Sequence, residues 1–477
     1  MMYNLLGCKI FGIYCMRCID LFESLKRLTR LVLKSYKTQA ITFVFLFLIF
    51  FGGFLLNLPI ASRNGVSMGY LDALFTATSA TCVTGLVVVD TYVQFSAFGQ
   101  LVIIFLIQIG GLGFMTMATL FSLLMRRVIT LNERLLIRES LNIDDMQGIV
   151  RLAKHILIGT FAIEFVGALL LSIRFIPEFG MPSGIYKSIF HSISAFCNAG
   201  FDIMGQKGEF IGLTSYVSDP IVSLVIPMLI IIGGIGFAVW EDVFQQSNFY
   251  KLRLHTKIAI TMTAFFIISG TIGFYILEHN NPATMQGLSP MGKLLASFFQ
   301  SVTTRTAGFN TISQDGMTIA SKFISIILMF IGGAPGSTAG GIKVVTVGVL
   351  AFAAYAVIKG TSQVTMFKRR ISYNAILRAM TIVMISLFVV ATGIIILSIV
   401  EKTLFINIIF EVVSAFGTVG LTLGITPNLT VVGKLTIITI MFFGRVGVLT
   451  VALSLLMGMN SGGSDKIKYP EEKIMVG

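Results

Sequence analysis

Four copies of one twelve-residue pattern constrain this chain more than any other feature of its sequence. Each copy has a Phe ten residues before a Gly, small, polar and apolar residues between them, and an apolar residue after the Gly. The copies are residues 75–86, 190–201, 298–309 and 410–421. Their glycines are 115, 108 and 112 residues apart. The spacing predicts four similar modules in one chain rather than a short-period solenoid.

The composition places these modules in a membrane. Of the 477 residues, 55% are hydrophobic and only 12% are charged, and the mean hydropathy is +0.89. Soluble proteins average about 25% charged residues. The predicted fold class is therefore an all-α integral membrane protein.

Each copy of the pattern is too short to cross a bilayer. About eight residues make a helix of roughly 12 Å, whereas the hydrocarbon core is ~30 Å thick. A half-helix followed by a Gly segment is tolerated at that depth only where protein or water surrounds it. Four Gly segments around one axis would present rings of carbonyl oxygens that replace the hydration shell of a cation. The negative C-terminal ends of the half-helices would point at the same place. The alternative is four buried loops packed for structure.

Apolar stretches around the copies predict eight spans and four half-helices, arranged as parallel span–half-helix–span modules around a pseudo-four-fold pore. The predicted spans are 39–59, 98–125, 153–174, 219–240, 256–277, 320–358, 375–399 and 431–457, and the first two half-helices are 70–81 and 185–196. The predicted organisation is a basic arm at 1–36, modules at 37–127, 128–250 and 251–370, and a fourth module with its tail at 371–477.

Basic residues orient the predicted spans. Five segments hold 24 of the 35 Lys and Arg residues: 1–37, 126–154, 251–257, 359–378 and 466–473. The positive-inside rule therefore predicts that both termini are cytosolic and that the Gly segments lie toward the outside. A basic inner face also suits anionic lipids or an acidic partner.

A second glycine cluster follows each copy by about 24 to 33 residues, at 110–113, 233–236, 332–341 and 444–447. For the first two clusters we expect close helix packing. The third cluster cannot form a continuous helix without a large cost in free energy, because it contains Pro335 and several glycines. It predicts an intramembrane loop beside a water-filled cavity, which would serve as a gate. The predicted gate residues are Gly332, Gly333, Ala334, Pro335, Gly336, Ser337, Thr338, Ala339, Gly340 and Gly341.

Three basic residues lie near these clusters. Arg445 interrupts the fourth cluster, and a cation at membrane depth indicates function, so we assign it to the gate. Lys343 follows the loop and has two interpretations, a gating role or snorkelling to the inner interface. Arg305 precedes the third Gly. Its charge excludes cation coordination, so it either holds the scaffold or faces the outer vestibule.

Taken as a set, the four copies, the glycine-rich break and Arg445 resemble the Trk/Ktr/HKT superfamily of potassium transporters over roughly residues 37–477. The chain most resembles the Ktr-type membrane subunit, because the 36-residue arm leaves no room for the two extra N-terminal spans of Trk-type subunits. The resemblance implies potassium uptake across a bacterial plasma membrane, sodium stimulation, and a homodimer in which each subunit has its own pore. It also implies a cytosolic ring of nucleotide-binding, RCK-type regulator subunits, with no cofactor on this chain.

The resemblance also implies a selectivity filter in which backbone carbonyls hold K⁺. The expected filter residues are Val83, Thr84, Gly85, Asn198, Ala199, Gly200, Thr306, Ala307, Gly308, Thr418, Val419 and Gly420. Each segment has one glycine, whereas potassium channels have two in Thr-Val-Gly-Tyr-Gly. Fewer ordered carbonyl rings should discriminate less, so we expect a preference for potassium with some sodium passage. A less selective Na⁺/K⁺ transporter is an alternative.

Other classes of function fit the sequence less well. A secondary solute transporter would predict inverted repeats, whereas these repeats are parallel. An ATP-driven pump or enzyme is disfavoured because Gly433-Lys434 is followed by Leu435, so there is no phosphate-binding loop motif. The four histidines form no metal-ligand pattern, and His191 is expected to support the second half-helix. Cys15 and Cys18 form one isolated C-x-x-C, which we interpret as free cytosolic thiols. Nothing in the sequence indicates nucleic acid.

Overall fold

A computed structural model describes residues 42–113, 149–246, 248–361 and 363–456. Residues Phe43–Leu449 form one compact unit, which contains the Gly segments, the glycine clusters and the short helices described below. Of the second unit, Met1–Thr42 with Thr450–Gly477, the structure describes Thr42 and the last seven residues of a helix. The predicted arm at 1–36 with Cys8, Cys15 and Cys18, most of the basic segment at 126–154 and the tail at 457–477 lie outside the described residues.

The described residues are almost entirely helical or in loops, which confirms the all-α prediction. One antiparallel pair of two-residue strands, β1 Thr365–Met366 and β2 Arg369–Arg370, is the exception within these ranges. The helices are α1 Thr42–Asn57, α2 Tyr70–Thr81, α3 Thr91–Gln94, α4 Ala97–Leu112, α5 Ile149–Phe179, α6 Met181–Phe196, α7 Pro220–Gly234, α8 Phe237–Gln245, α9 Leu254–Glu278, α10 Pro290–Thr303, α11 Ile319–Phe330, α12 Val344–Ile358, α13 Tyr373–Val400, α14 Phe405–Gly417, α15 Val431–Val446 and α16 Val448–Leu456. Short 3₁₀ turns lie at Pro59–Ala61, Thr214–Tyr216, Phe249–Lys251 and Thr426–Asn428.

Three described helices, α5, α9 and α13, are long and apolar enough to cross a membrane, and a bent pair formed by α7 and α8 adds up to one more. These three correspond to the predicted spans 153–174, 256–277 and 375–399. Several other predicted spans are represented by shorter apolar helices, among them α1, α4, α11 and α12. The count of eight spans therefore stays a prediction.

The outer surfaces of the apolar helices carry large apolar side chains. Phe43 on α1 is 68% exposed, Phe165 on α5 is 65% exposed and Phe388 on α13 is 73% exposed. Exposed apolar surface on this scale is costly in water but matches hydrocarbon. The buried side of the unit instead packs around the short helices α2, α6, α10 and α14, whose C-terminal halves are mostly buried.

The glycine clusters break helices that the sequence predicted to be continuous. The predicted span 219–240 is two helices, α7 and α8, with a bend of 91°. Gly236 lies at this break with φ +100°, a left-handed conformation that favours glycine. Gly447 separates α15 from α16 with φ +93°, and α4 ends before Gly113, which has φ +80°. The prediction of continuous helices at 219–240 and 431–457 was therefore wrong.

The same clusters also provide the close packing that was expected of the first two. In three of them, the first glycine lies against a backbone carbonyl at the end of a short helix. The pairs are Gly110 with Thr81, Gly233 with Phe196, and Gly444 with Phe416. A Cβ at any of these glycines would overlap that carbonyl oxygen. Close packing and helix breaking thus occur in the same glycine clusters. The residue composition of a cluster does not show which of the two it will produce.

Replacing Gly110 with alanine tests the packing of α4 on the end of α2. The added Cβ would collide with the Thr81 carbonyl oxygen, and overpacking of this kind costs about 1–3 kcal/mol. We expect Gly110→Ala to lower the melting temperature of the purified protein in detergent. Gly287→Ala is the matched control, because no heavy atom lies within 4 Å of the position that its Cβ would take. Equal melting temperatures for the two variants would contradict this packing.

Candidate functional site

The four Gly segments, residues 83–85, 198–200, 306–308 and 418–420, share an uncommon backbone conformation. The first residue of each has positive φ: 57° at Val83, 59° at Asn198, 70° at Thr306 and 49° at Thr418. The final glycines also have positive φ, from 69° to 90°, and the middle residues do not. Positive φ is rare for β-branched residues such as Val and Thr. Its recurrence at the same place in four segments indicates one common backbone geometry.

The four Gly segments close into a ring. The Cα of each glycine lies against the carbonyl oxygen of the middle residue in the next segment, so a Cβ there would be 2.5 Å or less from that oxygen. The four contacts are Gly85 with Ala199, Gly200 with Ala307, Gly308 with Val419, and Gly420 with Thr84. The order runs from the first segment through the fourth and back to the first. The residues predicted for the filter are thus brought together, and all the non-glycine members are buried.

Backbone hydrogen bonds attach each Gly segment to its own short helix. The middle residue of each segment donates its N–H to a carbonyl near the helix C-terminus. The four bonds are Thr84 to Ser79 (2.8 Å), Ala199 to Ser194 (2.8 Å), Ala307 to Thr303 (3.0 Å) and Val419 to Ser414 (2.8 Å). The segments therefore start where the helices end, so the negative ends of α2, α6, α10 and α14 adjoin the ring.

The hydroxyl groups of the same four anchor residues make further bonds. Ser79 and Ser414 accept the N–H of the segment glycine, at 3.0 Å from Gly85 and 3.1 Å from Gly420. Ser194 and Thr303 instead donate to the carbonyl of the residue after the glycine, over 2.8 and 2.6 Å. These anchors were not predicted from the sequence. A hydroxyl residue four positions after the buried Phe was the signal that could have found them.

That signal is hidden in the third copy by a register difference. The buried phenylalanines are Phe75, Phe190, Phe299 and Phe410, each four residues before its anchor. In the third copy the pattern matched Phe298, because the segment between anchor Thr303 and Gly308 is one residue shorter than in the other copies. The structural equivalent of the other three buried phenylalanines is Phe299. The spacing of ten residues is therefore constant in the sequence pattern, but not between the structurally equivalent residues.

The loop predicted to be a gate lies against the ring. It connects α11 to α12 and begins and ends at a parallel bridge between Ile331 and Ile342. A Cβ on Gly332 would lie 3.2 Å from a methyl carbon of Thr306, and Gly340 contacts the side chain of Thr418. Thr306 and Thr418 are the first residues of two Gly segments. The loop is therefore on the side of the ring where the short helices end.

The broken helix of the second module holds one side of this loop. The Ala334 N–H donates to the Gly234 carbonyl over 2.9 Å, and the Phe237 N–H donates to the Gly336 carbonyl over 2.8 Å. Breaking the helix frees both groups, since Gly234 ends α7 and Phe237 begins α8. The two helix breaks thus satisfy each other's backbone hydrogen bonds, as burial requires.

Arg445 connects the loop to two modules. Its guanidinium donates to the Thr338 carbonyl in the loop and to the carbonyls of Gly110 and Gly111 at the end of α4. Arg445 itself belongs to α15 in the fourth module. Its three hydrogen-bond partners in the described chain are backbone carbonyls, so the positive charge is held without an acidic partner there.

Two other basic residues also bind loop carbonyls. The Lys343 ammonium donates to Ala339 over 2.6 Å and to Gly340 over 3.4 Å, so it folds back onto the loop. The Arg305 guanidinium donates to the Thr263 carbonyl over 3.3 Å and to the Gly332 carbonyl over 3.4 Å. Arg305 therefore lies on the loop side of the ring, in the scaffold position of its two predicted alternatives.

Ser414→Ala tests the anchoring of the fourth Gly segment. The change removes the acceptor of the buried Gly420 N–H, and an unsatisfied buried donor costs about 1–3 kcal/mol. We expect a lower melting temperature for the purified protein. Ser398→Ala is the control, because Ser398 is exposed and its hydroxyl bonds only within α13. A control variant as unstable as Ser414→Ala would remove the case for the anchor.

Comparisons with known proteins agree on one family. The family model described as TrkH, cation transport protein, matches residues 54–467. The chain is 44% identical to the potassium/sodium uptake protein NtpJ of Enterococcus hirae over 443 residues, which is 92% of this chain and 97% of that protein. It is 45% identical to the Ktr system potassium uptake protein B of Bacillus subtilis, over 92% of this chain and 96% of that protein.

A solved structure has the same fold. The potassium transporter TrkH from Vibrio parahaemolyticus aligns with a TM-score of 0.67, covering 87% of this chain and 84% of that one. The sequence identity is 18%, so this likeness speaks for the fold alone.

Proposed function

Because the chain belongs to the TrkH family of cation transport proteins, we propose that it takes up potassium ions through a pore whose selectivity filter is the ring of Gly segments. The family makes it an ion transporter rather than an enzyme. The observation that carries the filter assignment is the closed ring, in which each glycine touches a carbonyl of the next segment. Packing alone gives no reason for four such contacts in cyclic order.

In this proposal, carbonyl oxygens of the ring replace water around a dehydrated K⁺. The C-terminal ends of the four short helices add negative potential at the same place. With one glycine in each segment, the filter has fewer ordered carbonyl layers than a two-glycine filter, so we infer a potassium preference with some sodium passage. The relative from Enterococcus hirae is named as a potassium/sodium uptake protein, which supports this inference.

The loop at 332–341 is proposed to be the gate. It adjoins the ring on the side of the helix ends, and small residues let it move at little steric cost. Arg445, Lys343 and Arg305 hold it by bonds to carbonyls, which can be exchanged for water. The charge of Arg445 would also repel cations at the constriction. Opening then requires the loop to leave these donors.

The membrane arrangement and the assembly extend this proposal. Eight spans with four pore helices, in a bacterial plasma membrane with both termini in the cytosol, would follow the distribution of Lys and Arg. One of the named relatives, from Bacillus subtilis, is a Ktr system protein, which supports a further subunit. We propose that a cytosolic nucleotide-binding ring regulates the gate of a homodimer, and that sodium stimulates transport.

Two alternatives stay open to experiment. A less selective Na⁺/K⁺ transporter would share the whole architecture and differ only in the ratio of the two uptake rates. A secondary solute transporter is disfavoured by the cyclic order of the ring. Potassium and sodium uptake by a potassium-uptake-deficient bacterial strain expressing this chain, with and without a regulator subunit, would separate the three.

Gly420→Ser tests the filter. A Cβ at Gly420 would collide with the Thr84 carbonyl oxygen and distort the ring. We expect the KM for K⁺ uptake to rise about tenfold, equivalent to about 1.4 kcal/mol, with a lower preference for K⁺ over Na⁺. Gly424→Ser is the matched control, because Gly424 has nearly the same φ, +91° against +90°, but no heavy atom within 4 Å of its Cβ position.

The control variant shares the backbone strain of a non-glycine residue at positive φ, so it isolates the ring contact. Unchanged kinetics for both K⁺ and Na⁺ in Gly420→Ser would show that the filter assignment is wrong.

Deleting residues 334–339 tests the gate. The deletion removes the Thr338 carbonyl that Arg445 binds and shortens the loop below the ring. We expect faster initial K⁺ uptake at matched membrane expression and weaker control by a regulator. Arg445→Ala should act in the same direction, whereas Lys402→Ala, at an exposed position outside the five basic segments, should leave uptake unchanged. A deletion variant that inserts, transports at the unmodified rate and stays fully regulated would refute the gate.

A further inference from the structure

A polar residue follows each buried Phe of the four short helices. These residues are Thr76, His191, Gln300 and Glu411, and all four are buried. Glu411 is the one carboxyl group of the set, and it is 0% exposed. It lies on α14, three residues before the anchor Ser414, and so behind the fourth Gly segment. The transport mechanism proposed above does not use it.

Glu411 forms a closed triangle with two hydroxyl groups. Thr422 Oγ1 lies 2.7 Å from Glu411 Oε2, Thr426 Oγ1 contacts Glu411 Oε1, and the two hydroxyl oxygens are 3.0 Å apart. Thr422 and Thr426 are two and six residues past Gly420. The triangle therefore ties the chain leaving the Gly segment back to the short helix that precedes it.

The number of protons available to this triangle favours a neutral carboxyl group. It has three oxygen–oxygen contacts, and each Thr hydroxyl supplies one proton. An ionised carboxylate only accepts, which leaves one contact without hydrogen. A neutral carboxylic acid would supply the third proton, with Glu411 donating to Thr426, Thr426 to Thr422, and Thr422 to Glu411. The Thr422 hydroxyl also accepts the N–H of Gly424 over 3.1 Å. As a donor it has only its one proton, which goes to Glu411.

The surrounding charges agree with a neutral group. The helices packed against α14 are α11, α13 and α15. Their titratable side chains are Lys322 on α11, Tyr373 and Arg378 on α13, and Lys434 and Arg445 on α15. Glu401, which follows α13, accepts from Thr430. Within the described residues none of these groups contacts Glu411; Lys434 pairs with Asp72 and Lys322 with Asp315. A buried carboxylate without a cation would be strongly disfavoured.

The third module makes the equivalent link with neutral groups. Gln300 follows Phe299 as Glu411 follows Phe410, and Gln314 lies six residues past Gly308 as Thr426 lies six past Gly420. The two amides exchange hydrogen bonds of 2.8 and 3.0 Å. In the third module each amide both donates and accepts. A protonated carboxyl group can do the same at the equivalent position, whereas a carboxylate cannot.

We propose that Glu411 is a positioning residue for the fourth filter segment, held as a neutral carboxylic acid that ties Thr422 and Thr426 to α14. The inference rests on the proposed potassium filter. Loss of the proton leaves the triangle one hydrogen short and places a charge behind the segment. Potassium selectivity then falls as the pH is raised far enough to ionise Glu411.

The test uses the full chain reconstituted into liposomes, with K⁺ and Na⁺ influx measured from neutral to alkaline pH. Glu411→Gln keeps a donor and an acceptor, so we expect wild-type selectivity at neutral pH and no loss at alkaline pH. Glu411→Ala should lower the K⁺/Na⁺ influx ratio about tenfold at every pH, equivalent to about 1.4 kcal/mol. Wild type should resemble Glu411→Gln at neutral pH and approach Glu411→Ala in alkali.

Infrared spectroscopy of the same samples reads the protonation state directly. The C=O stretch of the protonated Glu411 should be present in wild type and missing from Glu411→Gln. Glu164→Gln is the matched control, because Glu164 is a second buried carboxyl, bound to Gln108 over 3.0 Å. The band assigned to Glu411 should persist in that variant. This measurement stands even if Glu411→Ala fails to fold.

Three results would overturn the proposal: reduced selectivity of Glu411→Gln at neutral pH, a Glu411→Gln pH profile parallel to wild type, or no difference band between them. Failure of the proposed function looks different. Wild-type liposomes would then transport no K⁺ at any pH, while the infrared band would still report the state of Glu411.

Discussion

The contact between a segment glycine and the carbonyl of the next segment is the constraint on which the rest of this structure depends. It requires glycine at four positions, and a residue with left-handed backbone conformation two positions before each of these glycines. The short helices, the hydroxyl anchors and the close approach of α4, α7 and α15 all hold that geometry. The glycines of these helices pack directly on the ends of the short helices, so the ring and its scaffold are held by the same kind of contact.

Much of this arrangement follows from the sequence, because repetition and length are visible there. The half-helix predicted at 70–81 is the observed α2, and Pro335 with its glycines indicated the broken helix. The breaks at Gly236 and Gly447 were missed, because a glycine in an apolar stretch fits close packing equally well. Whether the helix continues or breaks depends on the hydrogen-bond partner of the next residue. Phe237 can begin a new helix because Gly336 of a distant loop accepts its N–H. Local patterns contain no information about that partner.

The register of the third copy was hidden for a similar reason. Phe298 and Phe299 are adjacent, and the sequence favoured the one at constant spacing from the glycine. Burial selects Phe299 instead, because the helix, and not the loop, fixes which side chain faces inward.

The basic residues near the loop show a second limit of prediction from sequence. Arg305, Lys343 and Arg445 all bind loop carbonyls, the kind of acceptor that a cation at this depth needs. The sequence did not show that Arg445 also reaches the carbonyls of Gly110 and Gly111 at the end of α4.

The ring closes within a single polypeptide. In an assembly of identical subunits, one codon change alters every symmetric position at once. Here it alters one quadrant, and the quadrants already differ: the third is one residue shorter, and only in the fourth is the buried polar residue after the Phe a carboxylic acid. Each quadrant is therefore free to evolve separately. A mutation that would change all four positions of a symmetric ring changes only one of the four Gly segments in this chain.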